Sequence, residues 1–100
     1  MKHGAIRHAL IRGRVQGVGF RMWVEDEALE RGLAGWVRNR RDGSVDALFA
    51  GPPAVVADMV EACLEGPPGS RVDAVDEQAA GEDALRLGHA GERFSVLATV

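Results

Sequence analysis

The sequence predicts an α+β fold, with two helices on one face of a mainly antiparallel sheet. Three observations carry that prediction. Residues 20–31 and 54–65 contain no Gly or Pro and repeat apolar side chains at helical spacing. β-prone segments lie before, between and after them, and two of those segments are joined by the Asp42-Gly43 pair, a strong hairpin signal. A glycine-punctuated stretch, residues 13–21 (GRVQGVGFR), links the first of these segments to the first helix. The chain's 100 residues suit a single domain spanning residues 1–100.

Taken in order, residues 1–5 are expected to fray. Residues 6–12 (IRHALIR) mix Ile6, Ala9, Leu10 and Ile11 with polar residues and read as a first strand. In the helix that follows, Phe20, Val24 and Ala28 form one stripe with Trp23 beside it, while Met22 and Leu29 fall on another side. Glu25, Asp26 and Glu27 in its early turns suit the positive end of the helix dipole. Gly32 is a suitable stop. Residues 33–39 (LAGWVRN) read as a second strand, 40–43 (RRDG) as a turn and 44–50 (SVDALFA) as a third strand. Gly51, Pro52 and Pro53 break it. The second helix, 54–65, presents Val55 or Val56, Met59, Val60, and Cys63 or Leu64 as its apolar stripe. GPPG at 66–69 ends it, and residues 71–78, with Val72, Ala74 and Val75, read as a fourth strand. Residues 79–91, rich in Gly, Ala and acids, read mainly as loop. Residues 94–100 (FSVLATV) read as a last strand, with Phe94 and Val96 or Leu97 reaching the core. The order β-α-β-β-α-β with an added terminal strand is that of the ferredoxin-like split βαβ arrangement.

Composition narrows the function classes. A hydrophobic content of 46% is that of a globular protein. No apolar run approaches the ~20 residues that span a bilayer, and the first residues lack the h-region of a signal peptide. Cys63 is the only cysteine, which excludes an intrachain disulfide and a CxxC site. A cytoplasmic location without membrane association is the expectation. The net charge of −3 conceals an asymmetry: residues 1–41 carry nine Lys/Arg against four acids (+5), and residues 42–100 carry three against eleven (−8). The basic part holds the glycine stretch, an arrangement that suits attraction of a small anion to one end of the molecule.

The glycine stretch has its own chemistry. Gly13, Gly17 and Gly19 permit positive φ angles and tight turns. A loop of this kind opening a helix turns consecutive N–H groups toward one point, and the helix dipole adds to the pull on an anion. Arg21, at the helix start, can fork onto two oxygens of a phosphate or carboxylate. The alternative is a plain strand-to-helix turn with an exposed arginine. Neither GxGxxG nor GxxxxGK[ST] is present, so those nucleotide sites are not supported. If the first two strands run in the same direction, Asn39 ends at the same edge as the glycine loop. Its amide can then orient a water whatever the pH.

GRVQGVGFR resembles the signature of the acylphosphatase family. A second motif of that family follows at the expected distance, GWVRNRRDGSV at residues 35–45, and GPPGSRV at 66–72 is a third echo. The resemblance covers roughly residues 6–94. It implies the same ferredoxin-like fold and hydrolysis of acyl phosphates to a carboxylate and inorganic phosphate. It implies that Arg21 binds the phosphoryl group, that Asn39 positions the attacking water, and that loop amides from Val15, Gln16, Gly17, Val18, Gly19 and Phe20 hold the phosphoryl oxygens. It implies no cofactor and no metal. The partners expected are a small acyl phosphate and phosphate, with no nucleic acid, and the protein is expected to be a monomer. Met22, where related hydrogenase-maturation domains carry proline, resembles the free-standing members. The ending FSVLATV departs from the family's usual Phe-x-Ile followed by a basic residue.

Other residues read as structural. His3, His8 and His89 are scattered and read as surface or frayed, Cys63 as core, Trp36 as packing, and Arg38, Arg40 and Arg41 as a solvated turn. A non-catalytic anion-binding module could dispense with Asn39, which is present. RNA binding on the open sheet would want aromatics on adjacent central strands, and the chain has only five aromatics and no Tyr.

Overall fold

The computed structural model describes residues 4–100. Its elements are β1 (Ala5–Arg14), α1 (Phe20–Glu30), β2 (Ala34–Asn39), β3 (Val45–Gly51), α2 (Pro53–Glu65), β4 (Arg71–Ala79), α3 (Glu82–Leu85) and β5 (Phe94–Val96). One sheet in the order β4-β1-β3-β2-β5 holds all the strands. The β1–β3, β1–β4 and β2–β3 pairs are antiparallel and β2–β5 is parallel. The expected α+β, ferredoxin-like arrangement with an added C-terminal strand is therefore the one observed.

Strand alternation decides which side chains meet the helices. Ala9 and Ile11 of β1, Val37 of β2, and Val45, Ala47 and Phe49 of β3 are fully buried on the helix-covered face. α1 covers them with Phe20, Val24 and Ala28. α2 covers them with Val56, Met59, Val60 and Cys63, which settles both alternatives left open by the spacing. Burying each large apolar side chain contributes about 1.5–3 kcal/mol. Met22, Leu29 and Leu64, off those stripes, are exposed. Phe94 of β5 enters the same core and stacks on Phe49, ring centroids 5.9 Å apart.

Residues 79–91 differ from the expected loop. β4 extends to Ala79, and the chain then forms the single turn α3. This segment crosses the sheet face opposite the main helices, where Trp36 and Leu48 are buried. A buried indole N–H needs an acceptor, and Trp36 Nε1 donates to the Ala84 carbonyl at 2.8 Å. The last strand is also shorter than expected, ending at Val96. Beyond it the chain still follows β2: Leu97 N–H donates to Val37 O at 2.9 Å, and Val100 N–H to Asn39 O at 3.1 Å. Fraying was expected for residues 1–5, but Ala5 already lies in β1. Gly4 precedes the strand as an exposed bend, and residues 1–3, His3 included, lie outside the described residues.

Candidate active site

Both β1 and β2 lie antiparallel to β3 between them, so they run in the same direction. Their C-terminal ends, Arg14 and Asn39, therefore come to one edge of the sheet. This meets the condition on which the sequence argument for Asn39 depended. In register, Ile11 pairs with Val45, and Val45 with Asn39. The loop leaving β1 must arch past the end of β3 to reach Asn39, two strand spacings or ~10 Å away.

The loop's geometry follows from its glycines. Gly17 and Gly19 have φ of 75° and 77°. A Cβ at either would meet nothing within 4 Å, so the left-handed dihedral, rather than crowding, is what calls for glycine. Gly19 is also the N-cap of α1 and supplies no side-chain cap. The first closing bond of the helix runs from Trp23 N–H to Gly19 O at 3.0 Å. Among the described residues, nothing accepts the main-chain N–H groups of residues 16–22. Loop and helix start thus present a run of donors at the positive end of a helix dipole.

A cavity of about 230 Å³ opens against these donors. Val15, Gln16, Gly17 and Gly19 line it from the loop, Phe20, Arg21 and Met22 from the first turn of α1, and Asn39 from the end of β2. All the expected site residues but Val18 meet there. Val18 packs against the core. The side chains of Val15 and Phe20 are core residues, so their contribution to an anion is confined to main-chain N–H groups. Arg21 is half-buried and, among the described residues, forms no ion pair. Its guanidinium makes no hydrogen bond to the described residues either. The Asn39 main chain is fixed by its ladder to β3 and by Val100, while its carboxamide makes no hydrogen bond to the described residues.

A second polar group lies on the other face of the sheet, and sequence reasoning missed it. Asp46 of β3 is 1% exposed. His8 Nε2 lies 2.9 Å from its Oδ2, Arg38 Nε donates to Oδ1 at 3.0 Å, and Arg38 Nη2 donates to Oδ2 at 3.2 Å. Arg40 Nη1 lies 3.5 Å away. Burial works against the Asp46 carboxylate, but the hydrogen bonds from His8 and Arg38 outweigh it and hold its pKa below the usual value. His8 is therefore part of a hydrogen-bonded cluster around Asp46 and not a scattered surface histidine. Arg38 and Arg40 likewise do structural work, with the Arg38 guanidinium 4.6 Å from the Trp36 ring centroid. Arg41 and His89 are exposed, as read from the sequence, and His89 Nδ1 also lies 2.9 Å from Glu92 Oε1. Cys63 is buried in the core, and burial pushes its thiol up to about 12. The alternation of β2 and β3, which sets Arg38 opposite Asp46, is the signal that could have found the cluster.

The comparisons decide the family. The profile of the family described as Acylphosphatase matches residues 7–94. The chain belongs to the acylphosphatase family. It is 66% identical over 96 residues to an acylphosphatase of Bradyrhizobium diazoefficiens, covering 96% of this chain and 97% of that one. Among solved structures, an acylphosphatase from Bacillus subtilis superposes with a TM-score of 0.79 at 40% identity, over 92% of this chain and 97% of that one. One from Coxiella burnetii superposes with a TM-score of 0.82 at 30% identity, over 96% and 95%. As a member of this acylphosphatase family the chain is a hydrolase of acyl phosphates.

Proposed function

We propose that the cavity at the β1 and β2 ends is where this acylphosphatase hydrolyses the carboxyl–phosphate bond. The loop and helix N–H groups and the Arg21 fork hold the phosphoryl oxygens. The Asn39 carboxamide holds a water in line with the bond to be broken. The water oxygen attacks phosphorus, the phosphorus–oxygen bond to the acyl group breaks, and carboxylate, inorganic phosphate and a proton leave. Phosphoryl transfer needs mainly positioning and charge stabilisation, and the carboxylate is a good leaving group. The observation that carries this reading is the convergence on one cavity of N–H groups, the Arg21 guanidinium and the Asn39 amide, none of them partnered among the described residues.

The charge stabilisation comes from main-chain donors and one guanidinium, so we assign no metal to the reaction. The residues form one compact unit that we take to act as a cytoplasmic monomer on a small molecule. Phe20, Trp36, Phe49 and Phe94 are buried, which leaves little for nucleic-acid bases to stack on.

Two measurements test the assignment. Benzoyl phosphate turnover should be unchanged by prolonged EDTA treatment, and its loss with recovery on adding Mg²⁺ would reveal a metal requirement. Arg21→Ala should lose both turnover and affinity for inorganic phosphate. Asn39→Ala should lose turnover by on the order of 10²-fold while phosphate inhibits it almost as well as the parent. Equal collapse of phosphate affinity in both variants would make Asn39 a phosphate ligand and remove its role in holding water.

A further inference from the structure

Gln16 lines the cavity, yet both donor hydrogens of its carboxamide are already used. Gln16 Nε2 donates to the Arg40 carbonyl at 2.7 Å and to the Ser44 carbonyl at 2.8 Å. Those carbonyls are the two ends of the β2–β3 turn. Each also takes a bond from inside the turn, Gly43 N–H to Arg40 O at 3.0 Å and Arg40 N–H to Ser44 O at 2.8 Å. Asp42 Oδ1 closes the turn further by accepting the Ser44 N–H at 2.9 Å and its hydroxyl at 2.6 Å. The turn is thus a stiff unit, and Asn39 is the residue that enters it.

We infer that Gln16 is a positioning residue that fixes the distance between the phosphate-holding loop and the water-holding Asn39. The inference rests on the roles proposed above for Arg21 and Asn39. An amide nitrogen has two hydrogens, so with both given to the turn this group has none for a phosphoryl oxygen. Loop and turn come from different strands, and β1 and β2 are not neighbours in the sheet. Without this tie, the loop beyond Arg14 would be joined to Asn39 only through the ladders of β3. A misplacement of ~1 Å can cost on the order of 10²-fold in rate. The bidentate bond is therefore placed to act on turnover rather than on phosphate binding.

The test uses Gln16→Met, which keeps length and shape without donors, and Gln16→Glu, which sets carboxylate oxygens against the two carbonyls. Thermal melting confirms that each is folded. For Gln16→Met we expect kcat for benzoyl phosphate to fall about 10-fold or more, with the inhibition constant of inorganic phosphate within about 2-fold of the parent. Gln16→Glu should fall further. Because Gln16 acts through Asn39, adding Gln16→Met to Asn39→Ala should cost almost nothing more. An undiminished kcat, a parallel loss of phosphate affinity, or fully additive rate losses would each overturn the inference. The Arg21→Ala and Asn39→Ala controls report separately on the site assignment. If those two behave alike while Gln16→Met keeps its kcat-only defect, the water-holding role of Asn39 fails, and with it the inference that Gln16 acts through Asn39.

Discussion

A buried carboxylate is tolerated only when its neighbours replace the water it has lost. Asp46, with His8, Arg38 and Arg40 around it, meets that condition. It lies on β3 next to Val45, the strand partner of Asn39, so its charge network backs the strand end that carries the proposed site. Asp46→Asn keeps the shape but leaves the Arg38 guanidinium without its anion. We expect a loss of about 2 kcal/mol or more at neutral pH. The sign of its pH dependence follows from the lowered pKa. Stability from Asp46 is fully present above the carboxyl's unfolded value of about 3.9, and it is lost as pH falls through the lower folded value. Urea melts should therefore show a gap between parent and variant that holds from pH 7 to about 4.5 and closes in stronger acid. A gap that persists unchanged at pH 2 would mean that the charge of Asp46 is not what it contributes.

Elements differ in how openly their residues announce them. α1 and α2 were legible because a single face of each meets the core, so Phe20, Val24 and Ala28 recur at the helical period. The choice between Val55 and Val56, or Cys63 and Leu64, needed the sheet, since only the docking angle settles which flank of the stripe is covered. The turn at Asp42-Gly43 was legible because its chemistry is local: Asp42 binds a residue two positions on. By contrast, residues 79–91 have few large apolar side chains, and their path over the open face is fixed by Trp36, some fifty positions away. No local pattern encodes that bond. The site divides in the same way. Gly17, Gly19, Arg21 and Asn39 could be picked out from motif spacing and dihedral demands. The side chains of Gln16 and Asp46 could not, because their partners are set by strand order and register.

Over the whole molecule, the charge asymmetry of the sequence becomes a spatial one. The ends of β1 and β2, the start of α1 and the start of β4 share one edge, which gathers Arg14, Arg21, Arg40, Arg41 and Arg71. Arg71 is paired with Asp73 and Arg40 with Asp46. Among the described residues, Arg14, Arg21 and Arg41 form no ion pair. Three unpaired cations at one edge of a chain whose net charge is −3 make a local field that draws anions to the cavity against the average of the molecule. Such attraction acts over distances that salt screens, with a Debye length of ~30 Å at 0.01 M falling to ~3 Å at 1 M. Arg21 and the loop N–H groups act at contact, where screening is slight. Raising KCl from ~0.01 M to ~0.5 M should therefore raise KM for benzoyl phosphate several-fold and leave kcat nearly constant. Arg41→Gln and Arg14→Gln should each flatten the slope without changing kcat. A KM indifferent to KCl would show that the basic edge plays no part in capture, leaving Arg21 and the loop to recruit the substrate alone.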